Sequence, residues 1–210
     1  VFVIDSSGSM SDDNKIEQAR KALTYCVGQL KDSDRFSVIR FSTEVEKFRD
    51  KLMAAAPGTR DEARAWIGQL TARGGTNISG ALQEALALRE AGDEKTSASA
   101  TGRVFTVVFI TDGLPTLGIT DPAGILQAVG PKRAGQVRIF TFGVGNDVNT
   151  KLLDRVAEET RAASEYIRPG QDMEVPISKF FDKISKPAMT NLKLEVTNAE
   201  VYDMYPKELP

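Results

Sequence analysis

The chain has 210 residues, 41% of them hydrophobic and 27% charged, with a formal net charge of -2. This is ordinary for a soluble globular protein: no long basic run points to nucleic acid, and no apolar run reaches the roughly 20 residues of a membrane-spanning helix. The absence of histidine excludes hydrolases that use a histidine base and zinc sites ligated by histidine, and the single cysteine, Cys26, excludes an internal disulfide or a cysteine-cluster metal site.

The first ten residues, Val1-Phe2-Val3-Ile4-Asp5-Ser6-Ser7-Gly8-Ser9-Met10, read as a buried strand that ends in an aspartate and a small polar loop. Ile16, Ala19, Leu23, Cys26, Val27 and Leu30 recur at helical spacing and predict a helix over about 14–30. Cys26 falls on its apolar face, as a core thiol would. A polar turn at 31–34 precedes a strand over 35–42. A short, charged stretch at 45–52 reads as an edge strand. Pro57-Gly58 reads as a chain break, and Ala63, Trp66, Ile67 and Leu70 mark a short helix with Trp66 toward the core.

Gly74-Gly75 gives backbone freedom just before Thr76, and Ile78, Ala81, Leu82, Ala85 and Leu86 make the next helix. Residues 92–102 read as an exposed loop. The most apolar strand spans 104–110 and ends in Thr111-Asp112-Gly113. Asp121-Pro122 reads as a helix cap followed by the first helical residue. A strand at 137–144, a helix at 149–160, a strand at 165–168 and a helix at 175–184 follow. Strands alternate with helices, so the fold class is α/β. It is a doubly wound, mostly parallel central sheet with helices on both faces. In such sheets ligands bind at the carboxyl ends of the strands, where the strand order reverses. Asp5 and Asp112 both lie at such ends. The tail alternates at Leu192, Leu194 and Val196 and continues through Val201-Tyr202-Asp203-Met204-Tyr205, which predicts a β-strand extension over 190–210 belonging to a neighbouring β-rich domain. A chain that starts inside a strand reads as an excised piece of a larger protein.

Asp5, Ser7 and Ser9 alternate, so a curled loop can aim one carboxylate and two hydroxyls at one centre. Hard divalent cations take such oxygen ligands. Asp-x-Ser-x-Ser at a strand end, a threonine in Gly74-Gly75-Thr76-Asn77 and an aspartate in Thr111-Asp112-Gly113 resemble, in that order, the three loops of the von Willebrand factor type A family. The family's site is the metal-ion-dependent adhesion site. The resemblance covers residues 1–189. Lys15-Ile16-Glu17, Gly74 to Ile78, Thr111 to Thr116 and the tail from Val201 to Pro210 are similar to the heavy chains of inter-alpha-trypsin inhibitor and their bacterial relatives.

The resemblance implies a metal held by Asp5, Ser7, Ser9, Thr76 and Asp112, with an open position for an acidic side chain of a partner protein. Mg2+ is the expected ion, Mn2+ a substitute, and Ca2+ less favoured because its larger shell prefers more carboxylates. It further implies a non-enzymatic, extracytoplasmic module beside a β-rich domain of the same protein, with no transmembrane segment in this stretch. Gly113 is expected to permit a sharp exit from its strand. The competing class is a structural or assembly domain with a vestigial metal site and the tail strands as its contact surface. A Mg2+-dependent phosphotransferase would need a second carboxylate two residues after the first, where Ser7 stands. No phosphate-binding glycine loop of the Walker type is present. Asn77-Ile78-Ser79 is a glycosylation sequon whose glycan would obstruct the proposed site.

Overall fold

The computed structural model describes residues 1–92, 104–130 and 137–184. Eight strands and six α-helices are assigned among them: β1 (Phe2–Asp5), α1 (Lys15–Gln29), β2 (Arg35–Phe36), β3 (Val38–Phe41), β4 (Val45–Lys47), β5 (Met53–Ala54), α2 (Pro57–Gly68), α3 (Ile78–Gly92), β6 (Phe105–Thr111), α4 (Pro122–Val129), β7 (Val137–Val144), α5 (Thr150–Glu159), β8 (Ser164–Ile167) and α6 (Glu174–Ile184). Six strands form one sheet in the order β4-β3-β1-β6-β7-β8. All neighbours pair in parallel except the antiparallel edge pair β3–β4. From β1 the chain builds outward to β3 and β4. It then returns to lay β6, β7 and β8 on the other side. The order therefore reverses between β1 and β6, and Asp5 and Asp112 sit at that reversal.

Alternation along the strands divides the interior into two cores. Phe2, Ile4, Val108 and Ile110 face α1, α2 and α6, meeting Leu23, Cys26, Ile67 and Phe181. Val3, Ile39, Phe41, Val107 and Phe109 face α3, α4 and α5, meeting Leu82, Leu86, Ile125 and Leu153. Phe41 and Phe109 stack at 5.3 Å. Phe180 presents its ring between Phe140 and Phe142 at 4.9 and 5.0 Å and so fixes α6 to β7. Cys26 is fully buried, and Trp66 is half-buried 6.2 Å from Phe48.

Four expectations need correction. The strand expected over 35–42 breaks at Ser37. Phe36 pairs with Met53 in a separate two-stranded antiparallel sheet, while Val38–Phe41 joins the main one. The Ser37 hydroxyl donates to the Arg49 carbonyl at 3.2 Å, holding the chain where it changes sheets. The edge strand is shorter than 45–52, with only Val45–Lys47 paired. Pro57 does not break the chain but opens α2, because its fixed φ suits the first helical position and its missing N–H costs nothing there. Gly92 closes α3 rather than opening the expected loop; the rest of that loop up to 102 lies outside the described residues, as does the β-strand extension.

Candidate metal centre

The first loop leaves β1 at Asp5 and enters a 3-10 stretch, Gly8–Asn14. Backbone hydrogen bonds tie it to its neighbours. Ser6 N donates to Phe41 O at 2.7 Å, Gly8 N to Gly74 O at 2.9 Å, and Arg73 N to Ser6 O at 2.8 Å. The second loop is bound to the third in the same way. Thr116 N donates to Thr76 O at 2.9 Å, and Thr76 N donates to the Thr116 hydroxyl at 2.8 Å. Gly74 has φ +80, the left-handed conformation the sequence required of this loop. Asn77 accepts from Gly80 N at 3.0 Å and caps α3, so the sequon asparagine is engaged by the helix it precedes.

The expected side chains converge. Asp5 Oδ1 accepts from Ser7 N at 2.8 Å, and Asp5 Oδ2 accepts from the Thr111 hydroxyl at 2.5 Å. The Ser7 and Ser9 hydroxyls lie 3.2 Å apart, and Ser9 Oγ donates to Asp112 Oδ1 at 2.8 Å. Asp5, Ser7, Thr76 and Asp112 are all buried. Thr76 reaches the group through Gly113: a Cβ there would lie 3.6 Å from Thr76 Oγ1 and 3.9 Å from Ser9 Oγ. Both are ordinary contact distances, so Thr76 Oγ1 and Ser9 Oγ both lie beside Gly113. Gly113 does not have a left-handed backbone.

Two carboxylates buried this close strain each other's charge. Burial, with a smaller contribution from the Asp112 charge, pushes the Asp5 carboxyl up to about 6 against the hydrogen bonds from Thr111 and Ser7. One cation answers this field. Lys15 Nζ lies 2.8 Å from Asp112 Oδ2 and 3.4 Å from Ser9 O. The Asp112 side chain is fully buried and that of Lys15 is partly exposed, at 16%. No group of three or more His, Cys, Asp or Glu side chains among the described residues could hold a metal. The candidate donors are instead two carboxylates and three hydroxyls, a hard oxygen set that fits a hard divalent ion.

Thr111 and Lys15 were not among the expected site residues. Thr111 sits in Thr111-Asp112-Gly113, but a strand threonine is common and its partner, Asp5, is 106 residues away. Lys15 carried a signal of another kind. It is the first residue of α1, where the helix dipole disfavours a cation.

A doubly wound α/β sheet with three polar loops gathered where its strand order reverses defines a Rossmann-like domain. The chain belongs to the von Willebrand factor type A domain family, whose model matches residues 1–165. It is similar to human inter-alpha-trypsin inhibitor heavy chain H4, with 32% identity over 204 residues, 97% of this chain and 22% of that protein. It is also similar to heavy chain H3 of Mesocricetus auratus, with 29% identity over 211 residues, 100% of this chain and 24% of that protein. The chain thus spans under a quarter of these relatives' length. Among solved structures it superposes on a von Willebrand factor type A protein from Catenulispora acidiphila (TM-score 0.73, 22% identity, 88% of this chain, 41% of that one). It also superposes on proximal thread matrix protein 1 of the mussel byssus, described with a zinc-occupied metal-ion-dependent adhesion site (TM-score 0.63, 18% identity, 88% and 43%). No helix among the described residues is long and apolar enough to cross a membrane.

Proposed function

We propose that this domain is a non-catalytic protein-binding module in which Asp5, Ser7, Ser9, Thr76 and Asp112 hold a divalent metal. The metal supplies an open coordination position for a carboxylate of a partner protein. The observation that carries the reading is the run of close oxygens from Ser7 through Ser9 to Asp112, spaced 3.2 and 2.8 Å. Two carboxylates with three neutral hydroxyls are few charged donors for the larger shell of Ca2+, so Mg2+ is the ion proposed, with Mn2+ as its substitute. Hydroxyl donors are neutral, so the ion keeps charge to offer a partner.

The rim suits a protein partner. Leu114, Leu117 and Ile119 follow Asp112 on the third loop, and all three are exposed, Leu114 by 53%. A cluster of exposed aliphatic side chains beside a polar site is the composition of an interface. The similarity to the heavy chains is in line with an extracytoplasmic setting, and the proposal takes residues 1–189 as the module and 190–210 as part of an adjacent β-rich domain.

Calorimetry with Mg2+ and Mn2+ tests the reading directly. Saturable binding that Asp112→Ala abolishes, with the circular dichroism spectrum unchanged, is the expected result. No binding by the wild-type protein at millimolar metal would overturn it. It would leave the second reading, an assembly domain with a vestigial site, which the Lys15–Asp112 ion pair favours because that pair already neutralises one carboxylate.

A further inference from the structure

We infer that Lys15 is the resident cation of this site, and that a divalent metal gains Asp112 by displacing the Lys15 ammonium. The inference rests on the metal-binding reading above. Three independent features place the lysine there.

The first is contact. Nζ is 2.8 Å from Asp112 Oδ2, the carboxylate oxygen that Ser9 does not use, and 3.4 Å from the Ser9 carbonyl. The ammonium thus holds the Asp112 oxygen opposite the one that Ser9 holds, and it neutralises the carboxylate whose charge a metal would need. The second is the backbone that delivers it. Asp13 and Asn14, immediately before Lys15, both adopt the left-handed conformation, at φ 51 and φ 55. Aspartate and asparagine tolerate that region best of the non-glycine residues, and the pair turns the chain directly into Lys15. The third is the position of the charge. Lys15 opens a 15-residue helix that has no side-chain cap hydrogen bond at Asn14. An ammonium there opposes the helix dipole, and only a strong local partner repays that. Gly145, at φ +86, completes the seat: a Cβ at that position would lie 3.8 Å from Nζ and 3.9 Å from Cε of Lys15.

Asp5 and Asp112 supply two negative charges to this pocket, and the ammonium has already claimed part of them. A dication entering beside a retained ammonium would meet like charge within a few ångströms, in surroundings that screen it poorly. Metal binding is therefore an exchange of cations, and Lys15 sets its affinity. Replacing Lys15 with an uncharged chain of similar length frees Asp112 for the metal. Replacing it with arginine keeps the competing charge.

Calorimetric titration with Mg2+ of the wild-type protein, Lys15→Met and Lys15→Arg is the test. Lys15→Met is expected to bind about tenfold more tightly than wild type, and Lys15→Arg like wild type. Wild-type binding that Lys15→Met leaves unchanged or weakens would overturn it while leaving the metal site standing, whereas no binding by either protein would overturn the metal reading and the exchange together. If Lys15→Met does not fold, lysine acetylation mapped by mass spectrometry on the wild-type protein decides the matter. Mg2+ should raise the labelling of Lys15 several-fold and leave Lys21 and Lys31 unchanged; unchanged labelling of Lys15 in saturating Mg2+ would overturn the proposal.

Discussion

Ser9 Oγ donates a 2.8 Å hydrogen bond to Asp112 Oδ1 across 103 residues of sequence, joining the loop after β1 to the loop after β6 at the point where the strand order reverses. Ser9 is thus both a proposed ligand and the clasp between two loops. Ser9→Ala removes one hydroxyl from the donor set and one charge-assisted hydrogen bond from a buried carboxylate. Such bonds contribute about 1.5–3 kcal/mol. Asp112 retains Lys15, so the lower part of that range is expected as lost stability in urea. Mg2+ affinity should fall tenfold or more by calorimetry, and an unchanged affinity would remove Ser9 from the ligand set.

Thr111 controls the other carboxylate. Its hydroxyl donates to Asp5 Oδ2 at 2.5 Å, and both residues are fully buried. Thr111→Val preserves the shape of a central strand residue and deletes only the donor. Asp5 then keeps the amide of Ser7 but loses the bond that fixes its second oxygen. The expected cost is about 2 kcal/mol in chemical denaturation, with weaker Mg2+ binding because the carboxylate is free to turn. Full stability in the variant would mean that the bond carries no net weight.

The sequence made the centre of this fold readable for a physical reason. Strands buried on both faces are apolar throughout, so 104–110 could hardly be anything else, and α1 repeats its apolar face through Cys26 and Val27 without interruption. The candidate site is legible as three short motifs because each ends such a strand or opens such a helix. What escaped was set by tertiary contact. Phe36 and Met53 pair in two-residue strands too short to show a period. Pro57 reads equally as a break or a first helical residue until Ala56 is seen extended before it. Thr111 and Lys15 act through Asp5 and Asp112, about a hundred residues away, and no local pattern announces such a pairing.

Stability should fall at alkaline pH through Cys26. Burial pushes its thiol up to about 12 from 9.0, with the Asp182 charge adding to the shift. Above pH 9 the unfolded chain loses this proton while the folded one keeps it, so folding weakens as pH rises toward 12. The slope for one such group approaches about 1.4 kcal/mol per pH unit. Tyr166, also pushed up to about 12 by burial and by its hydrogen bond to Asp154, acts in the same direction. Its partial exposure makes its share smaller. Urea midpoints measured between pH 8 and 11 should decline, and Cys26→Ala should decline less steeply; identical slopes would show that the thiol is not responsible.

The last helix depends on one ring. Phe180 meets Phe140 and Phe142 edge-on at 4.9 and 5.0 Å, and Phe181 follows it against Phe2 at 5.7 Å. Each aromatic pair contributes about 0.5–1.5 kcal/mol beyond burial. Phe180→Ala removes two pairs and half-buried surface and should cost about 2–3 kcal/mol. Amide exchange should rise across Glu174–Ile184 well before it rises in β6, since the loss is local to the face that α6 covers. Equal acceleration in both elements would mean that α6 and the sheet open as one unit.

The apolar rim separates partner binding from metal binding. Leu114 and Ile119 are exposed on the third loop, and neither side chain belongs to the proposed ligand set. Replacing both with serine should leave Mg2+ affinity within twofold of wild type, because the metal's proposed oxygens keep their positions. A partner docking a carboxylate on the metal would also bury these side chains, at about 25 cal/mol for each square ångström removed from water. Affinity for such a partner should therefore drop about tenfold in the double variant at saturating Mg2+, measured by surface plasmon resonance. The tests of metal and rim then separate cleanly: Asp112→Ala should lose both metal and partner, whereas the rim variant should keep the metal and lose partner affinity. A rim variant that binds the partner as tightly as wild type would limit the contact to the metal and its immediate oxygens.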